Sequence, residues 1–132
     1  MASAPGIEAG NPTVEQIPGG DLVFRRIWKY CFKRDRIRPS AFNPDPGDLG
    51  VSVNWEKYSD ARNTWQRSLN HGVAELEAWE VRAIEGLLLT HSPRPWNLAH
   101  ADILGVDVER RAKLAKIARM VIPIGGGPGL MV

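Results

Sequence analysis

Cysteine is nearly absent: Cys31 is the only one in 132 residues, so no internal disulfide can close and the fold must rest on non-covalent packing. Long apolar runs are also missing. Each is broken by Gly, Pro or His before reaching the ~20 residues a membrane-crossing helix needs, which excludes a transmembrane helix. The first twenty residues lack the basic start and apolar stretch of a secretory signal, and with the lone thiol this makes the cytoplasm the expected compartment. His71, His91 and His100 are spaced irregularly with respect to Cys31 and to one another, so neither a zinc pattern nor any other metal site is expected. No internal repeat and no recognised catalytic or nucleotide-binding motif occurs.

What is present is ordinary for a folded chain. Hydrophobic residues make up 43% and charged residues 24%, with five Trp, more ring surface than a disordered segment carries. The length suits one domain with one modest core. The net charge of +2 conceals an asymmetry, because residues 25 to 38 hold seven Lys or Arg against Asp35 alone and leave a net negative remainder.

Pro5, Gly6, Gly10, Pro12, Pro18, Gly19 and Gly20 give residues 1 to 20 the composition of a flexible arm. From Asp21 to Lys33, a helical stripe (Val23, Phe24, Ile27, Trp28, Cys31, Phe32) competes with a strand alternation (Leu22, Phe24, Arg26, Trp28). The β-branched and aromatic content favours a strand over residues 22 to 28. Residues 37 to 42 read as extended, residues 43 to 50 as a Pro- and Gly-rich loop, and Val51, Val53 and Trp55 as the buried face of a strand. Asp60 or Ser59 caps a short helix to about Leu69. Strands are expected over 73 to 78 and 98 to 104, with helical turns over 80 to 85 and an apolar run over 87 to 90. A helix capped by Asp107 runs to about Ile122, where Pro123 stops it. The expected fold is α+β, a single domain over residues 21 to 123 in which a sheet of about five strands packs against the C-terminal helix, followed by a flexible tail over 124 to 132.

The ordered segments LVFRRI, RDRIRPSAF, GVSVNWEKY and AHADILG, followed by the helix KLAKIARMVI, resemble a family of small uncharacterised bacterial proteins. The resemblance spans residues 21 to 123 and implies those domain limits. It carries no activity.

Three functions fit these residues. The first is a binding or accessory protein with a protein partner, docking through Arg25, Lys29, Lys33, Arg34, Arg36 and Arg38. The exposed acids Glu75, Glu77, Glu80 and Glu85 would offer a complementary surface for partners or self-association, and Trp79 or Trp96 would serve as an anchor. The second is enzymatic. Arg25 or Arg26 on a first strand, Ser52 on a middle strand and His100 or a Glu on a late one resemble the sheet-borne arrangement of ADP-ribosyltransferase-like folds. That resemblance implies NAD as substrate and Arg26, Ser52 and His100 as catalytic candidates, while the catalytic-loop Glu of the pattern has no counterpart here. Asp102, on the same strand face as His100, could orient it as a base. The third is a nucleic-acid module, in which the cations of residues 25 to 38 hold phosphates and Trp28, Tyr30 and Phe32 stack bases. Only the second involves a cofactor-type molecule, NAD; no cofactor is otherwise expected.

Overall fold

Val23 and Ile27 are fully buried while Arg26 and Trp28 point to solvent, and this alternation makes Leu22–Trp28 a strand, β1. In the computed structural model, which describes residues 12–127, β1 is followed by a short hairpin, β2 (Phe32–Lys33) and β3 (Arg36–Ile37), and then by β4 (Val51–Trp55). Helix α1 (Ala61–Trp65), β5 (His71–Glu77), α2 (Ala78–Ala83), β6 (Leu88–His91), β7 (His100–Leu104), α3 (Val108–Ile117) and β8 (Arg119–Ile122) complete the domain. The main sheet has six strands in the order β6-β7-β4-β1-β5-β8, every neighbour antiparallel. The fold is thus mixed, with one strand more than expected and with the hairpin as a separate two-stranded sheet.

Because strand side chains alternate, the sheet has two unlike faces. Val23, Ile27, Val51, Val53, Trp55, Leu76, Ala101 and Ile103 line one face and form the main core with Phe42, Val81 and Leu114. The other face carries Arg26, Ser52, Asn54, His71, His100 and Asp102. It is covered only in part, where Trp65 of α1 packs with Phe24, Val73 and Ile122.

Three expectations need correction. Residues 39–42 form a 3₁₀ turn rather than a strand, entered from an extended Arg38 as Pro39 demands, with Ala41 and Phe42 buried. The C-terminal helix is capped by Asp107, which accepts from the Arg110 amide, but it ends at Ile117. Ala118 is extended, and the residues after it pair with β5 across a register shift, Met120 packing against the main core and Ile122 against the cluster on the other face, so the last apolar residues become β8 on the sheet edge. The element nearest α3 is the 39–42 turn rather than the sheet. Its fully buried residue is Leu114.

The arm expected over residues 1 to 20 divides. Residues 1–11 lie outside the described residues, whereas Ile17 is 2% exposed in the core and its carbonyl accepts from Arg82 Nη1 at 2.6 Å. The Glu15 amide donates to His91 Nδ1 at 2.9 Å. The Glu15 carboxylate meets Lys57 and Tyr58, and these hydrogen bonds, Lys57 first, lower its pKa. Composition missed this strap because a single apolar residue supplies its burial. Ile17→Ala should therefore destabilise the domain by about 2–4 kcal/mol through lost transfer and a residual cavity. Urea unfolding would read it, and an unchanged midpoint would mean the strap is not part of the folded unit. Of the expected tail, residues 124–126 form a 3₁₀ turn with Gly126 buried, and residues 128–132 lie outside the described ones.

Candidate functional site

Adjacent arginines on β1 have opposite fates because they point to opposite faces. Arg25 points toward the core side, and its guanidinium donates from Nε to the Ala41 carbonyl (2.9 Å), from Nη1 to Ser52 (2.9 Å) and from Nη2 to Asn43 (3.1 Å). The paired register of β1 with β4 covers Val23 with Trp55 and Phe24 with Asn54. Beyond it, the Arg25 side chain supplies the link to β4. Burial pushes its pKa down while Asp45 opposes the shift, and an arginine stays charged under such a perturbation. Arg25 is therefore a structural clamp and does not belong to the surface patch proposed from sequence.

Arg26, by contrast, is exposed and lines a concave cavity of about 650 Å³ on the polar face. Ser52 and Asn54 of β4, His100 of β7, His71 of β5 and the Asn43–Pro46 loop line the same cavity, with Thr64 and Gln66 from the α1 side and Asn97 from the loop before β7. The three catalytic candidates read from sequence thus share one cavity, although they come from three strands. Arg26 Nη1 donates to Gln66 Oε1 at 3.0 Å, and among the described residues this is the one hydrogen bond its side chain makes. Gln66 and Arg67 hold positive φ values of 56° and 53°, a conformation costly for residues other than glycine and kept where the surroundings impose it. That turn is what presents the Gln66 amide to Arg26.

Two polar relays organise the floor. Asn97 donates to Asn54 (2.9 Å), Asn54 to Thr64 (3.0 Å) and Thr64 to the Asp60 carbonyl (2.9 Å), so the orientation of Asn54 is fully determined. In the second, His100 Nδ1 lies 3.0 Å from the Ser92 carbonyl. A carbonyl only accepts, so Nδ1 carries the proton, and in the neutral ring Nε2 is the acceptor facing Ser52 Oγ at 3.2 Å. Ser92 Oγ also approaches Nδ1 (2.9 Å) and donates to Asp102 Oδ2 (2.7 Å). Asp102 therefore steadies His100 through Ser92, its own carboxylate lying 3.9 Å from Nε2. The arrangement is a hydroxyl, a base and an orienting group, with the base buried.

His71 sits beside Arg26 in this cavity, its Nδ1 2.7 Å from Ser68 Oγ. Burial and then the Arg26 charge depress its pKa. His71, Gln66 and Asn97 were not identified as site residues from sequence. The alternation of Ser52 and Asn54 was a usable signal for the cavity floor, but β5 starts at His71 rather than Val73, which hid the face on which that histidine lies. His91 is elsewhere, donating from Nε2 to the Leu98 carbonyl (2.8 Å) and stacked beneath Tyr58. Among the described residues no group of three or more His, Cys, Asp or Glu converges as a metal would require, and no helix is long and apolar enough to cross a membrane.

The remaining candidates disperse. Lys29, Lys33, Arg34, Arg36 and Arg38 are all exposed, the last four around the β2–β3 hairpin. Three of the four acids expected to form a free surface are instead gathered by one cation, Arg119, which lies 3.3, 3.6 and 3.3 Å from Glu75, Glu77 and Glu80, while Glu85 is exposed. Trp96 is 79% exposed, and Trp79 is exposed with its ring N–H on Glu77. No family model, curated protein or solved structure matches the chain.

Proposed function

We propose that the cavity on the polar face binds an anionic nucleotide, NAD in particular, and that the protein is a NAD-processing enzyme of the ADP-ribosyltransferase-like kind. The supporting observation is the convergence of Arg26, Ser52 and His100 on one concave polar surface of about 650 Å³, a size in the usual range of roughly 300–1,000 Å³ for small-molecule sites. Arg26 keeps donors for a pyrophosphate. The Trp28 ring, half exposed at the rim, offers a surface for a base or for nicotinamide.

Ser52 faces a ligand hydroxyl or a water. In the reaction, the bond from ribose C1′ to nicotinamide breaks, the hydroxyl or water oxygen takes its place, and the proton released passes through Ser52 to His100 Nε2. The departure from the pattern lies in the carboxylate. No Glu lines the cavity, and its one acid is Asp45, so His100 carries the proton-accepting role in this reading.

Calorimetric titration with NAD and with ADP-ribose, and chromatographic detection of released nicotinamide, test the proposal. Both ligands should bind the wild-type protein. Arg26→Ala should weaken both by about ten- to a hundredfold, the worth of a charged hydrogen bond. Ser52→Ala and His100→Gln should retain binding while nicotinamide release falls. An absence of binding heat together with an absence of nicotinamide would end this reading. The alternative of a module working through protein contacts belongs to a different surface, the basic hairpin.

A further inference from the structure

A second concavity, of about 1,050 Å³, lies between the β2–β3 hairpin and α3. Its floor is apolar: Phe32 and Ile37 from the hairpin face Ala112, Ala115, Ala118 and Met120. Its walls carry Lys33, Arg34, Arg36, Arg38 and Lys116 against Asp35 alone. Among the described residues none of these five cations makes a side-chain hydrogen bond or ion pair, whereas Arg25, Arg82, Arg110 and Arg119 are each engaged by acceptors of this chain. Five unneutralised charges around an apolar floor raise the local potential and select an anionic occupant with apolar side chains. The hairpin tip adds a further sign, since Arg34 and Asp35 both hold positive φ, 54° and 60°, in a turn that glycine or asparagine would form at lower cost.

We infer that this groove docks an acidic amphipathic peptide segment of a partner protein, its apolar side chains on the alanine face of α3 and its carboxylates on the hairpin cations. A nucleic acid fits less well. The floor is aliphatic apart from the half-buried Phe32, and the exposed rings nearby, Trp28 and Tyr30, lie outside the groove and pack edge-to-face on each other at 4.8 Å, so they offer no stacking series along the cations.

The test uses the full chain and a fluorescent pool of short peptides with Asp or Glu at alternate apolar-acidic positions, beside a Glu-only peptide and a single-stranded oligothymidylate. Binding is read by anisotropy at several ionic strengths, with circular dichroism as the folding control. The amphipathic pool should bind more tightly than either comparison probe, and association should slow with salt. Lys33→Glu, Arg34→Glu and Arg36→Glu together should slow association by at least about tenfold with the fold retained. Ala112→Trp, which fills the groove and leaves the charges in place, should weaken binding to a similar extent. Failure of the pool to bind, binding by either variant as tight as that of the wild type, or a preference for oligothymidylate would each overturn the inference. None of these outcomes bears on NAD, which is assayed at the cavity lined by Arg26, Ser52 and His100, none of which lines the groove.

Discussion

Arg25→Ala is expected to destabilise the domain by about 3–5 kcal/mol, while Arg26→Ala one residue away changes stability within about 0.5 kcal/mol. Removing the Arg25 side chain leaves the Ala41 and Ser52 carbonyls, both part-buried, without their charged donor, and each such orphan costs roughly 1–3 kcal/mol. Arg25→Lys should recover only part of the loss, because one ammonium cannot reach three carbonyls that a planar fork spans. Urea unfolding of the three variants checks it. Equal effects at positions 25 and 26 would mean that the clamp contributes nothing special. The clamp also holds the loop after the 39–42 turn against β4, so its loss should disturb the geometry of the polar cavity even where the protein remains folded.

Leu114→Ala is the second large effect, expected at about 3–5 kcal/mol. Leu114 is the one fully buried residue of α3, and a truncated core leucine loses its transfer energy and leaves a cavity that its neighbours only partly fill. Ala118→Asp should cost far less, since Ala118 lies past the helix end with extended backbone and is only half-buried. Lys113→Ala, on an exposed helical position, should stay within about 0.5 kcal/mol. Thermal and urea midpoints for the series would decide whether the helix is anchored through position 114. If Ala118→Asp proved as damaging as Leu114→Ala, the helix would have to be seated along its whole length.

Much of the sheet was legible in sequence because its strands have one polar and one apolar face. Val51, Val53 and Trp55 alternate with Ser52 and Asn54, and that pattern placed both the core and the cavity floor. Asp107 announced its helix for an equally local reason, a carboxylate that caps the free amide of Arg110. What escaped reading is non-local. Nothing in the identity of Arg25 distinguishes a clamp from a surface cation until the carbonyls of residues 41, 43 and 52 surround it. The end of α3 was misplaced because Met120 to Ile122 suits either period, and only pairing with β5 selects the strand. The five hairpin and helix cations were visible as a charge run, but Ala112 and Ala115 looked like ordinary helix interior until the hairpin was seen to stand above them.

The first strand among the described residues, β1, is the fourth in the sheet order, flanked by β4 and β5. During synthesis β1 therefore emerges long before either neighbour exists, and its second edge stays open until residue 77 has left the ribosome. Such late, distant pairing slows folding and prolongs exposure of Val23, Phe24 and Ile27 to other nascent chains. The charges on Arg25 and Arg26 within that same strand then do a service that neither the clamp nor the cavity requires: they keep an unpaired, apolar strand from pairing with the wrong chain.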